Sequence, residues 1–277
     1  MRSIIPDTVF ENLLDASIIT SIDNHKYRST IRVSNFYLPH TQDDDVSGPP
    51  LYYIHSSFPA SSDSVFFGPD TYLFVDFLRT RKHHLPKSPQ SIIDVCCGSG
   101  AGAIHAARTF PRAKAIGLDL NPHALRLGGT NAQLAGTQVD FFESNLYAAI
   151  PHKTNSSGID LIISNPPYIA SSDEDGEDLP VYADGGADFG LDISIRIVEE
   201  GLKKLSSSGV IAIYTGVAIP TAKPGHDAFL EKLRGLDGVK IVEYAILHPD
   251  MWSEEIGQGA YAYVCRIQAV GAVLRKK

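Results

Sequence analysis

Ile92-Ile93-Asp94-Val95-Cys96-Cys97-Gly98-Ser99-Gly100-Ala101-Gly102, taken together with Asn165-Pro166-Pro167-Tyr168, decides how this chain of 277 residues folds. The first stretch is an apolar run that stops at small residues and resumes with helical spacing. A buried parallel strand reads this way, followed by a tight turn and a helix whose unpaired N–H groups face a ligand. Ala115-Ile116-Gly117-Leu118-Asp119 is a second apolar run ending in an acid. At that distance a carboxylate can hold the two hydroxyls of a ribose. A third run, Ile159 to Ser164, leads directly into Asn165. Outward from these, strand patterns fall at 91–96, 115–120, 138–143, 159–164, 209–215, 240–247 and 260–268, and helical patterns at 101–109, 122–135, 191–205 and 226–235. Such alternation predicts an α/β fold, a doubly wound and mostly parallel sheet covered on both faces.

Ahead of Ser91 the pattern changes. Val9-Phe10 to Ile18-Ile19 has helical spacing, broken by Asp23-Asn24-His25. Thr30 to Tyr37 and Leu51 to His55 read as the strands of a hairpin, with Asp43-Asp44-Asp45 and Gly48-Pro49-Pro50 in a long loop. Thr71 to Thr80 reads as a short helix that Asp70 can cap, and Lys82 to Pro89 as a polar linker. The expected division is a segment of residues 1–90, with hairpin and linker, ahead of a ligand-binding domain of residues 91–277.

These motifs resemble class I S-adenosylmethionine (SAM)-dependent methyltransferases, in the branch marked by Asn-Pro-Pro-Tyr. Asp94 to Gly100 is similar to that family's Asp-x-Gly-x-Gly-x-Gly motif, Asp119 to its ribose acid, and Asn165 to Tyr168 to its catalytic tetrad. Pro69-Asp70-Thr71-Tyr72 resembles the Pro-x-Thr-Glu segment of the HemK-type glutamine N-methyltransferases, with Tyr72 in place of Glu. Asp184-Gly185-Gly186, with the residues on to Asp192, resembles that group's loop after the tetrad. The resemblance implies a Rossmann-like sheet of seven strands with the seventh inserted antiparallel, SAM as cofactor, and N-methylation. It implies a cofactor set of Asp94, Gly98, Ser99, Gly100, Asp119, Leu120, Asn145 and Asn165, and a catalytic set of Asn165, Pro166 and Tyr168. Cys96 replaces the motif's first glycine, and Asn145 stands where an Asp usually meets the adenine amine. The resembled glutamine enzymes carry a larger helical domain ahead of the hairpin. Here only the residues before Thr30 precede it, so a secondary metabolite is as good an acceptor as a release factor.

The chemistry follows from the residue types. Gly98 and Gly100 let backbone approach a ligand, and Ser99 adds a hydroxyl toward the amino-acid end of SAM. Methyl transfer is an in-line displacement, so the acceptor nitrogen must be aimed along the sulfur–methyl axis. An amide NH2 is planar and poorly nucleophilic. The Asn165 side-chain oxygen and the Pro166 carbonyl can bind both its N–H groups and favour charge developing on the nitrogen. The paired prolines stiffen the turn, and Tyr168 offers a face to stack on a flat substrate. Gly185 and Gly186 read as hinges of a loop that could close over the site, and the acid-rich Ser171 to Asp178 as a solvated loop or lid. Trp252, His248 and Tyr261 are late candidates for substrate contact, with packing an equal explanation of each.

Net charge is −8, a poor match to a long phosphate backbone. The expected acceptor is therefore a protein or small molecule, with a nucleic-acid adenine or rRNA as the alternative and a catalytically inactive SAM-binding partner subunit as the rival of another class. Cys96, Cys97 and Cys265 have no metal spacing and form no disulfide framework. His40, His55, His83 and His84 are scattered over different elements, so no metal is expected. No signal pattern or membrane-length apolar run is present, which points to a cytoplasmic protein.

Overall fold

A computed structural model describes residues 5–23, 26–36, 50–150, 158–170 and 179–277. The seven-stranded sheet is built on β5 (Ser91–Val95), β6 (Lys114–Asp119), β7 (Asp140–Glu143), β8 (Ile159–Ser164), β9 (Leu205–Pro220), β10 (Val239–Met251) and β11 (Val264–Lys276). Their order is β10-β11-β9-β8-β5-β6-β7, with β9 to β7 parallel and β11 inserted antiparallel between β10 and β9. Successive residues of a strand feed opposite faces. Ile92, Leu161, Ile163, Val210 and Ala212 join one apolar cluster with α2 (Pro69–Thr80) and α3 (Ala101–Thr109). Ile93, Val95, Ile162, Ile211 and Ile213 join another with α5 (Asp192–Lys204) and α6 (Ala228–Gly235). Burial on both faces is why these strands read as continuous apolar runs rather than as alternation.

Several boundaries moved: β9 runs Leu205–Pro220 where 209–215 was expected, and β10 Val239–Met251 where 240–247 was. The strand expected at 260–268 begins at Val264 and runs to Lys276, because Ala269 to Leu274 are all in the interior. Its first expected residues form a 3-10 turn, Gly259–Tyr261. The N-terminal helical run divides into α1 (Asp7–Asp15) and a strand β1 (Ile19–Asp23) paired with β2 (Lys26–Ser29). The expected hairpin is β3 (Ile31–Phe36) antiparallel to β4 (Leu51–Ser56). The acidic part of its loop, with His40, lies outside the described residues, as does the run Ser171 to Asp178. Phe36 and Tyr53 of this hairpin share the cluster of α2 and the sheet.

Asp70 does not cap α2. The cap position is Gly68, whose N–H donates to Thr71 Oγ1, and Asp70 is the second residue of the helix, in its first turn, with 4% exposure. Tyr72, at the place of the expected Glu, donates its hydroxyl to the Asn35 carbonyl at 2.9 Å and stacks on Phe36. It fastens α2 to the hairpin.

Candidate methyl-transfer site

β5 has β6 on one side and β8 on the other, so the chain crosses in opposite directions from it. A crevice opens at such a switch point, beyond the carboxyl ends of the strands. Ser164 Oγ donates to the Val95 carbonyl at 2.6 Å, which sets the two strand ends side by side. A cavity of about 580 Å3 lies there, a size usual for small-ligand sites. Asp94, Gly98, Ser99, Asp119, Leu120, Asn145, Asn165, Pro166 and Tyr168 all line it. Of the residues singled out, Gly100 does not. Its φ of +81° turns the chain into α3 instead. A Cβ on Gly98 would meet nothing within 4 Å, so that edge of the turn stands open to a ligand. Cys96, in the position of the missing glycine, has a φ of +58°. The turn demands a left-handed residue, which an L side chain adopts only with strain.

The two acids differ in what they have left to offer. Asp119 is half-buried, and each of its oxygens accepts one backbone N–H, from Gly98 at 2.8 Å and from Asn121 at 2.9 Å. Burial raises its pKa, and these bonds pull the other way. A carboxylate has about four lone-pair sites, so two acceptor positions remain. Asp94 is 1% exposed. Its Oδ2 accepts from Ala103 N–H at 2.7 Å, while Oδ1 has no partner among the described residues. Burial pushes its pKa up to about 8, helped by the charge of Asp119. An orphaned carboxylate oxygen, an open glycine edge and a part-satisfied acid fit the ammonium, methionine backbone and ribose of SAM.

Asn165 is half-buried and Pro166 buried beside it. Tyr168 is only 6% exposed. Its hydroxyl donates to Asp70 Oδ1 at 2.6 Å and accepts the indole N–H of Trp252 at 2.7 Å, while Tyr214 donates to the same Asp70 oxygen. One side of the ring lies 2.2 Å from where a Cβ on Gly216 would stand. Tyr168 is therefore held by its hydroxyl and packed against backbone, so little of its ring is left to stack on a substrate. The loop from Asp184 also departs from expectation. Ile169 N–H donates to Ala183 O at 2.8 Å and Gly185 N–H to Ile169 O at 2.9 Å. Gly185 and Gly190 let this loop press on the tetrad backbone, where a Cβ would fall 2.5 Å from Tyr168 Cα and 2.0 Å from Tyr168 O. It braces the tetrad rather than hinging over it.

Of the late candidates, Trp252 lines the cavity with a φ of +56°. Tyr261 is buried, accepting from Ala170 N–H, and His248 is exposed and outside the lining. His83 and His84 meet Glu243 away from the cavity, where Arg81 and His84 both pair with the carboxylate. Sequence reasoning missed Asn131 of α4 (Pro122–Leu134), which is fully buried. Its amide accepts from Ile54 N–H at 2.7 Å and donates to Ile54 O at 3.0 Å and Ser99 O at 2.9 Å. A polar residue in the middle of a helix was its only signal.

The Methyltransferase small domain family matches residues 71–178. A putative protein N5-glutamine methyltransferase of Methanocaldococcus jannaschii is 30% identical over 154 residues, 55% of this chain and 72% of that one. A release factor glutamine methyltransferase of Geobacter sulfurreducens is 32% identical over 155 residues, 53% of this chain and 51% of the relative. Across the curated relatives first matched, the chain spans between 28% and 72% of their length, most often about half. The solved 16S rRNA N2 G1207 methyltransferase of T. thermophilus, in complex with AdoMet and guanosine, is similar in fold. It has a TM-score of 0.54 at 14% identity, over 97% of this chain and 62% of the other. Among the described residues no helix is long and apolar enough to cross a membrane. The chain belongs to the SAM-dependent methyltransferases of the Asn-Pro-Pro-Tyr branch, with HemK-type glutamine methyltransferases among its relatives.

Proposed function

We propose that this chain methylates a planar amide nitrogen, that of a glutamine side chain in a protein. The carrying observation is that Asn165 and Pro166 face the same cavity as Asp94, Gly98 and Asp119. Bound SAM supplies an electrophilic methyl group on a sulfonium sulfur. Asp119 would hold the ribose hydroxyls, Leu120 and Asn145 would serve the adenine, and Asp94 the methionine ammonium. Asn165 Oδ1 and the Pro166 carbonyl accept the two N–H bonds of the acceptor amide. That would aim its lone pair and favour the positive charge that methylation places on the nitrogen. The surplus proton leaves to water afterwards, so no strong base is required. The relatives' printed activities on release factors and on ribosomal protein uL3 support a glutamine acceptor, and the net charge of −8 weighs against RNA or DNA.

The test is transfer of label from SAM into a cell extract, split by protease and nuclease treatment. Protease-sensitive label, one methyl mass on a glutamine residue, and loss of at least about a hundredfold in Asn165→Ala are expected, on the scale of removing a transition-state hydrogen-bond partner. Label in nuclease-sensitive material or in small molecules would replace the glutamine reading. Full turnover by Asn165→Ala would remove the tetrad mechanism.

A further inference from the structure

Four polar groups, Trp252, Tyr168, Asp70 and Tyr214, meet at and behind the tetrad, and the mechanism above uses none of them. The indole N–H of Trp252 donates to Tyr168 Oη, the Tyr168 hydroxyl donates to Asp70 Oδ1, and the Tyr214 hydroxyl donates to that same oxygen. Every proton in this chain points inward, so Asp70 is its single terminal acceptor. The four come from α2, the tetrad, β9 and the segment after β10. Asp70 is 4% exposed, and burial raises its pKa against the opposing pull of the two hydroxyls. A buried carboxylate is costly unless its bonds do something a neutral group could not. Trp252 stands on the other end with a left-handed φ of +56°, an unfavourable conformation for a bulky aromatic residue. Its ring lines the cavity beside Phe66, at 6.1 Å between centroids, and Phe66 in turn stacks on Tyr182 at 5.5 Å. Strain at such a residue persists only where its surroundings over-determine it.

We propose that Asp70 is a positioning residue for methyl transfer: by accepting the Tyr168 and Tyr214 hydroxyls it fixes Tyr168, and through Tyr168 the indole of Trp252. The Asn165–Pro166 acceptors and the aromatic wall of Phe66, Trp252 and Tyr182 are thereby set as one rigid slot for a flat, uncharged acceptor group. This deepens the reading of the site as a methyltransferase and rests on it. Asp70 lines the same cavity, but its carboxylate is engaged by the Tyr168 and Tyr214 hydroxyls, and it acts on transfer through Tyr168 and Trp252.

Trp252 is the sole tryptophan of the chain, so its fluorescence reads the contact without any acceptor. Three variants, Asp70→Asn, Asp70→Leu and Tyr168→Phe, are compared with the wild type by tryptophan emission, calorimetric titration with S-adenosylhomocysteine, and initial rate of label transfer from saturating SAM into the protein fraction of a cell extract. All three should shift the Trp252 emission maximum. S-adenosylhomocysteine affinity should stay within twofold for Asp70→Asn and Tyr168→Phe, while the transfer rate falls at least tenfold in Asp70→Leu. Asp70→Asn keeps an oxygen acceptor and should recover part of that loss. A purely structural Asp70 would lower cofactor affinity, thermal midpoint and rate together, with no rescue by Asn. If Asp70→Leu does not fold, Asp70→Asn and Tyr168→Phe carry the test alone. Unchanged emission, or undiminished transfer in Tyr168→Phe, overturns the proposal. Absence of label transfer by the wild type overturns the functional reading instead, and emission then decides whether Asp70 governs Trp252.

Discussion

Asp119 offers the sharpest separation between holding a cofactor and holding the turn that receives it. Each carboxylate oxygen already accepts one backbone N–H, Gly98 on Oδ2 and Asn121 on Oδ1. Two acceptor positions are left for ribose hydroxyls. In the proposed site Asp119→Ala would delete both charge-assisted bonds to the ribose. It should weaken S-adenosylhomocysteine by about 1.5–3 kcal/mol, or roughly 10- to 150-fold. Folding suffers as well, because Gly98 N–H and Asn121 N–H both lose their acceptor. Asp119→Asn should lose less of either. The two backbone donors sit on opposite oxygens, so whichever way the amide is turned, its NH2 faces an N–H. One donor is left unsatisfied, at about 1–3 kcal/mol of folding stability, despite the near-identical shape. Urea unfolding without ligand and calorimetry with S-adenosylhomocysteine measure the two effects separately. An Asn variant as stable as the wild type, or an Ala variant with unchanged affinity, would refute this assignment of the two oxygens.

Cys96→Gly relieves a left-handed cost of about 1–2 kcal/mol, partly offset by the greater freedom of Gly in the unfolded chain. A thermal midpoint about 1–3 °C higher is expected, and a lower one would contradict the strain. Asp94, with its pKa pushed up to about 8, is held protonated by burial in the ligand-free protein. Its stabilising contribution is present below the unfolded carboxyl pKa and is lost as pH rises toward 8. Urea midpoints of Asp94→Asn should therefore decline less than the wild type's between about pH 4 and pH 8, and parallel curves would refute this. Asn131→Ala strands Ile54 N–H and removes the donors to Ile54 O and Ser99 O, so a loss of at least roughly 2 kcal/mol is expected by chemical denaturation.

The central strands and the two acids were readable because their signals are local. An apolar run, a small-residue turn and an acid at fixed spacing all lie within one βαβ unit. Strand β11 runs past its expected end because Ala269 to Leu274 are all buried, with Gly271 where Phe77 of α2 packs on the strand. The β1–β2 pair escaped notice since its short strands are mostly solvent-facing and lack alternation. Asp70 looked like a helix cap because its partners are invisible in sequence: Tyr168 is 98 positions away and Tyr214 144. Tyr168 looked like a stacking platform for the same reason. The tetrad predicts where the ring is, and only the fold shows that its hydroxyl is already bound.

Asn131 gives the N-terminal hairpin a direct grip on the glycine turn, since one amide group holds both Ile54 and Ser99. Energetic coupling across such a hook runs equally in both directions. If binding at the turn is coupled to β4, a partner that holds the hairpin changes the turn's affinity for its ligand by the same factor as the ligand changes the partner's. No described residue of the hairpin lines the cavity, so such coupling would run through the turn alone. Its free energy is measurable as the difference between two titrations, one with the hairpin engaged and one with it free.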